Sequence, residues 1–411
     1  MSPVDATGAP ADVRLRGFGD RLALEEARAW LAARVAAPAQ ETVPLAAAVG
    51  RVLAEAVRCD ADFPAGDRVA VDGYAVRAAE TLGAGAYNPV LLPIASFGVP
   101  PAGTARLCAA GEALPAGMDA ILPFAAAERQ GPTLAVMAAV APGEGVERRG
   151  AGIAGGTTVL ASGAVLDPGR IAVLAALGRV KVTVARRPVA ALIVPGPKPH
   201  GSAAGADALT PMLRALLARD GAVLRPVAAA RDLLAAIREA ADADLVLVAG
   251  RSGVGADDGA AAAIVAAGGG LHAHGIAMRP GDSAGIGAIA RASLVLLPGE
   301  PFACFAAYDL LASGAVRAAA GLPVALPYPV VPLTLARKIV SAIGFTDFVP
   351  VAIAGDRAEP LAGGLAAVAA AAGFVLVPAA REGHAAGEIV PVHLYPCTYM
   401  SGDMMRETIR S

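Results

Sequence analysis

Aromatic side chains are scarce in this 411-residue chain, 4% of the total, and charged ones reach only 17%. Lys and Arg form no dense block and the formal net charge is −2. A surface that tracks nucleic-acid phosphates is therefore not expected. No uninterrupted run of about 18 strongly apolar residues occurs, so no membrane-spanning helix is expected. The 56% apolar content owes much to alanine, as in AAAIVAAGG and LAAVAAAAG; alanine favours helix while burying little area. The start, MSPVDATGAPADVRLRG, has no apolar core behind a basic end, which argues against a secretory signal and for a cytoplasmic location. Four cysteines, Cys59, Cys108, Cys304 and Cys397, lie far apart without a CxxC pair. They read as buried or semi-buried free thiols in a reducing compartment. His272 and His274 would share one face of a strand, yet no third metal ligand accompanies them.

What is present is a change of rhythm along the chain. Length alone implies two to four domains. Asp20 is placed to cap a helix over LALEEARAWLAARVAA, and a second helix is expected from Leu45 to Glu55. Pro64, Gly66 and Gly73 then break regularity, and Pro89 to Val146 reads as short β-runs punctuated by Gly and Pro. Asp167 and Pro168 mark a helix start in LDPGRIAVLAALG. From Pro188, apolar strands (VAALIV, AVLRPV, DLVLVAG, SLVLLPG) alternate with helical segments, which implies a parallel sheet covered by helices on both faces. After Pro323, Pro327, Pro329 and Pro332, a further set of strands suggests a closing β-domain.

Ligands of open parallel sheets bind beyond the carboxyl ends of the strands. Three segments are predicted there. The turn Gly250-Arg251-Ser252-Gly253-Val254-Gly255 follows a strand and precedes a helix, so its amides make an anion cradle or, equally, a structural glycine turn. In HGIAMRPGDSAG, Arg279 before Pro280 and Gly281 is either a bidentate grip for oxyanions or a solvated loop arginine. In LLPGEP, Pro298 and Gly299 precede a long helix whose first N–H groups would face the same crevice, or merely begin a helix. Elsewhere Asp67 and Asp72 sit in GDRVAVDGYAV, as paired carboxylates for a metal or a proton, or as ordinary turn residues.

These segments, in this order, resemble the molybdopterin molybdenumtransferases, the MoeA/gephyrin family. GRVLAEAVRCDADFPAGDRVAVDGYAV, LPAGMDAILPF, VERRGAGI, DLVLVAGRSGVGADD, HGIAMRPGD, LLPGEPFACFAAYDLL and ARKIVSAIGFTDFVPV carry the likeness over roughly residues 20 to 395. It implies a multidomain α/β and β architecture: an elongated first domain (1–50 and 146–187), an inserted β-rich domain (51–145), an α/β molybdopterin-binding domain (188–322), a C-terminal β-barrel-like domain (323–397) and a tail (398–411). It also implies a homodimer whose active sites draw on both subunits. The implied reaction takes adenylylated molybdopterin and molybdate with Mg2+, hydrolyses the adenylate and places molybdenum on the dithiolene sulfurs. Asp67, Asp72 and Arg279 would be catalytic, and the 250–255, 280–281 and 298–299 turns would hold the pterin.

The chain departs from the family pattern at several polar positions. Arg68-Val69 stand for Asn-Ser after the first aspartate, and Ala110-Gly111-Glu112-Ala113 for T-G-A-P. Val194-Pro195-Gly196-Pro197-Lys198 replaces S-T-G-D-E, and Gly250 to Ala256 lacks the motif's serine and aspartate, although Asp257 and Asp258 follow as substitute metal ligands. Arg279 and Asp282 replace two lysines, and Glu300 stands in L-P-G-N-P. Replacing a carboxylate with proline or lysine removes a metal ligand, and fold and chemistry are separable. Two readings follow: a transferase, or a catalytically silent relative that binds the cofactor as chaperone or as partner of an active paralogue or a molybdoenzyme. A structural scaffold is a third.

Overall fold

The computed structural model describes residues 12–96, 98–196, 207–226 and 232–396; Cys397, Pro197 and Lys198 lie outside them. The chain forms two compact units, one of Met1–Glu41, Gly50–Val52 and Ala185–Ser411, the other of Thr42–Val49 and Leu53–Val184.

The first unit is built on a six-stranded sheet ordered Val223–Pro226, Val189–Ile193, Leu245–Ala249, Ala292–Leu297, Gly285–Ile289 and Gly270–His274. The first four strands are parallel, as their alternation with helices requires. The last two run antiparallel and finish the sheet as a hairpin edge, a correction to the purely parallel expectation. That edge is hard to see in sequence because its strands, GLHAH and GIGAI, are rich in glycine and alanine, which are depleted in strands. Glycine is required there: a Cβ on Gly287 would lie 2.1 Å from the Gly270 carbonyl oxygen. A register shift between Leu271 and Ala273 also leaves His272 exposed and His274 buried. His272 stacks on Trp30, and His274 meets the edge of Phe18.

Every residue of Leu245–Ala249 and Ala292–Leu297 is buried. Alternate side chains enter two separate cores. Leu245, Leu247 and Leu297 pack with helices Leu24–Arg34, Leu209–Arg219 and Pro301–Ala307, while Val246, Val248 and Leu296 pack with Leu233–Ala240 and Ala260–Ala266. The helical stretch Pro301–Ala319 has the length and apolarity to cross a bilayer, yet 72% of its most apolar window is buried in the fold.

Beyond it, Thr346–Ala354, Arg357–Pro360, Val330–Leu335, Ile389–Leu394 and Gly373–Val377 pair in that order, and the last closes on the first. This is a closed β-barrel filled by Val351, Val375, Val390 and Val392. A two-residue strand of the α/β part, Met278–Arg279, adds in parallel to Thr346 and Asp347.

The second unit carries short antiparallel sheets, Arg106–Cys108 with Gly73–Val76 and Ala120–Pro123, and Val90–Pro93 with Thr133–Val136 and Ala127–Gln130. Asp167 caps its helix by accepting the Arg170 amide at 2.8 Å, with Pro168 at the first helical position. Two expected helices change. Asp20 caps nothing, because the Leu22 backbone pairs with Gly275 and Ala277 and delays the helix to Leu24. The Leu45–Glu55 segment is helical only as the turn Leu45–Ala47, since the Leu53 and Ala54 amides are drawn to Ala164 and Thr183. Cys59, Cys108 and Cys304 are buried free thiols as expected, and burial pushes Cys304 up to about 12.

Under the first unit's sheet lies a buried charge cluster. Asp220, fully buried, accepts from Arg219 at 2.7 Å, Ser313 at 2.9 Å, Tyr308 at 3.1 Å and Arg317 at 3.2 Å. Asp309 accepts from Arg219 at 2.7 Å and Tyr328 at 2.6 Å, around the π-helical turn Tyr308–Ala312. Two carboxylates offset two guanidiniums, and deleting one leaves a buried cation uncompensated. Asp220→Ala is expected to lower urea-measured stability by about 3–5 kcal/mol; a loss below about 1 kcal/mol would show that the cluster does not hold these helices.

Candidate functional site

Strands Leu245–Ala249 and Ala292–Leu297 are in register to their last residues, Ala249 opposite Leu297. The chain therefore turns on both at the same level. The Gly250 amide donates to the Leu297 carbonyl at 2.9 Å. A Cβ on Gly299 would stand 3.3 Å from the Gly250 Cα, and one on Gly250 would stand 3.7 Å from Pro195. Arg251, held at φ +53°, donates to the Gly196 carbonyl at 2.8 Å. Gly250 and Gly299 thus meet as bare backbone, with Pro195 and Gly196 beside them.

The turn is only partly open to a ligand. Asp258 accepts the Gly255 amide at 2.9 Å, so its carboxylate fastens the turn from within. The Ser252 and Gly253 amides have no acceptor among the described residues, and of the two Ser252 is buried while Gly253 is partly open, so Gly253 is the more accessible part of the candidate cradle. The Ser252 hydroxyl lies 3.0 Å from that of Ser283, which ties this turn to the Arg279-Pro280-Gly281 turn. Gly281 in turn packs on the helix after Gly299, where a Cβ would lie 3.2 Å from the Ala303 carbonyl oxygen. All three predicted segments come together. Sequence reading missed Ser283 and Gly196, both inside segments it had singled out; only their contacts distinguish them.

Two predicted roles change with the contacts. Arg279 is no lone cation: it grips Asp347 through two bonds of 2.8 and 2.7 Å and lies over the Phe345 ring at 5.0 Å. Its charge is largely offset, and it orients its turn more than it attracts anions. Asp282 is paired likewise with Arg21 at 2.7 Å. The first N–H groups of the Pro301 helix do not face the crevice freely, because the Glu300 side chain accepts those of Phe302 at 3.1 Å and Ala303 at 2.6 Å.

In the second unit, the two predicted aspartates separate into different roles. Asp67 uses both oxygens, one on the Arg149 amide at 2.8 Å and one on Arg148 at 2.6 Å. The amide first, and then the guanidinium, hold its carboxyl below the usual range. Asp72 uses one oxygen on the Ala110 amide at 2.7 Å, and the other has no partner among the described residues. Asp67 is a staple for the Val146–Glu147 strand and the arginines after it, whereas exposed Asp72 keeps one oxygen without a protein partner among the described residues. Among the described residues no group of three or more His, Cys, Asp or Glu is placed to hold a metal. Asp67 uses both oxygens on the protein's own N–H groups and Asp258 uses one, so neither stands as an open pair of metal-ligating oxygens.

Family models match along the chain in order: the MoeA N-terminal region (domain I and II) at residues 22–178, a probable molybdopterin binding domain at 191–318, and the MoeA C-terminal region (domain IV) at 332–395. Molybdopterin molybdenumtransferase 2 of Mycobacterium tuberculosis H37Rv is 33% identical over 310 residues, covering 69% of this chain and 76% of the relative. The chain belongs to the molybdopterin molybdenumtransferase family. The enzyme of that name from Staphylococcus aureus MSSA476 is 26% identical over 382 residues, 86% of this chain and 90% of its own. Two crystal structures of the molybdopterin biosynthesis MoeA protein of Pyrococcus horikoshii superpose with TM-scores of 0.70 and 0.71. They are 27% and 30% identical and cover 92% and 91% of this chain, and 100% and 99% of their own.

Within this transferase frame, His274 supports the cradle. Its Nε2–H donates to the Ser252 carbonyl at 2.8 Å, and burial holds its pKa below the ordinary 6.5. The fold thus refuses a proton that the unfolded chain accepts. Stability should fall as pH drops below 6.5, with a slope of up to about 1.4 kcal/mol per pH unit from this residue. In His274→Gln, which keeps the donor and cannot titrate, urea midpoints between pH 6.5 and 5 should decline less steeply. Equal slopes would remove the assignment.

Proposed function

We propose that this chain is a molybdopterin molybdenumtransferase acting in molybdenum cofactor biosynthesis, with adenylylated molybdopterin and molybdate as its substrates. One observation carries the reading. At the carboxyl ends of adjacent parallel strands, Gly250 and Gly299 meet as side-chain-free backbone, and the turn that follows Gly250 holds two amides, of Ser252 and Gly253, without an acceptor among the described residues. A polyanionic pterin needs such an approach, and amides fixed in advance stabilise charge without reorganising. The curated relatives bear the transferase name along most of the chain, which favours an enzyme over a silent binder.

The roles follow from which groups remain uncommitted. Gly250, Ser252, Gly253 and Gly255, with Pro298 and Gly299, cradle the pterin and its phosphate. Arg251 braces the cradle through Gly196, and Arg279, Pro280 and Gly281 set the facing turn. From the family resemblance, Asp72 is the proton acceptor of the hydrolysis, in which a water oxygen bonds to phosphorus as the anhydride P–O bond breaks and AMP leaves. No step is assigned to magnesium. The family resemblance supports a homodimer and a cytoplasmic setting, as parts of the same proposal.

Purified protein should release AMP from adenylylated molybdopterin in the presence of molybdate, faster than buffer alone. A rate equal to buffer would leave only the silent, cofactor-binding reading. Asp72→Asn should lower kcat on the order of 100-fold or more with unchanged melting, whereas Asp67→Asn should lower melting as well; an unaltered kcat in Asp72→Asn would misplace the proton acceptor. Light scattering that finds a monomer at micromolar concentration would remove the homodimer.

A further inference from the structure

At the amino ends of the strands of the same sheet lies a cavity of about 320 Å3. Ala190, Leu245 and Ser293, successive neighbours across the sheet at the amino ends of their strands, form part of its wall. Five residues of extended strand separate Leu245 from Gly250, about 16 Å at the usual rise. The cavity and the glycine cradle are therefore separate places, and the rule that puts reaction sites at strand carboxyl ends leaves this one without a catalytic assignment.

Its charges do not cancel. Arg186 is spent on Asp244 through bonds of 3.0 and 2.9 Å, and Asp244 also accepts the Val189 amide. Arg34 and Arg291, which also line the cavity, are exposed and take part in no ion pair among the described residues. Arg34 lies over the Trp30 ring at 5.1 Å, and Arg291 donates to the Asp242 carbonyl at 2.9 Å. The carboxyl ends of helices Leu24–Arg34 and Ser313–Ala319 reach the cavity, each adding about half a negative charge. Two guanidiniums against these leave roughly one net positive charge. The rest of the lining is apolar, with Ala222 and Val316 beside the strand residues. At about 30 Å3 per water-sized group, the space takes roughly ten non-hydrogen atoms.

We propose that this cavity binds a small organic anion, with an apolar body seated on the sheet and one oxyanion head held by Arg34 and Arg291. Calorimetric titration of the full chain with phenyl phosphate, benzoate and inorganic phosphate tests it. At least one aromatic anion should bind one-to-one and at least about tenfold more tightly than inorganic phosphate, since only it fills the apolar part. Benzoate against phenyl phosphate identifies the head. R34Q/R291Q should weaken that binding at least about tenfold, while R251A, at the glycine cradle, should leave it unchanged. If circular dichroism shows the double variant unfolded, R34Q and R291Q singly should each weaken it at least about threefold. No saturable binding of either aromatic anion, no aromatic preference, indifference to the Arg34 and Arg291 changes, or loss in R251A would each overturn the proposal.

Discussion

Two neighbouring parallel strands that end at the same residue level set the terms for everything at the upper edge of the sheet. Because Ala249 and Leu297 are register partners, the next residues must turn within van der Waals contact of one another. Any side chain on Gly299 would crowd the Gly250 Cα. The glycines are thus demanded by the sheet before any ligand is considered. The bare turn is a by-product of that packing: where two backbones must touch, no side chain stands between them.

Charge is used in the opposite manner, mostly inward. Asp67, Asp258, Glu300, Arg279 and Asp282 each answer a protein group. Several stand where the family pattern has different polar residues, and each has become part of the scaffold of a turn. A carboxylate that caps an amide has exchanged its hydration for a fixed dipole, and recruiting it for a metal would require the turn to open. Asp72, with one oxygen still in solvent, is the exception and carries the chemical proposal.

The α/β part was legible from its apolar runs because buried parallel strands leave an unmistakable record of Val, Leu and Ile between helices. The hairpin edge was not, since Gly270–His274 and Gly285–Ile289 meet through glycines that carry no pattern. Leu45–Glu55 failed as a helix for a tertiary reason: its helical spacing was overruled by the Ala164 and Thr183 carbonyls, which claim the Leu53 and Ala54 amides. At the site, the sequence told which segments converge and not what their charges touch. The partner of Arg279 lies 68 residues away at Asp347, and no local spacing encodes so distant a contact. Asp67 and Asp72 looked alike in their loop, and only hydrogen bonding distinguishes a staple from an available base.

The two-residue strand Met278–Arg279, added to the barrel at Thr346 and Asp347, has a consequence for how the chain can be shortened. The barrel is wired to the cradle through Asp347, Arg279 and the Ser283–Ser252 contact. A fragment ending before the barrel would retain all six strands of the α/β sheet while stripping Arg279 of its counter-charge and its turn of an anchor. In this architecture the barrel serves as a splint, and evolutionary or engineered trimming at that end would slacken the Arg279 turn and, through Ser283, the glycine turn beyond it.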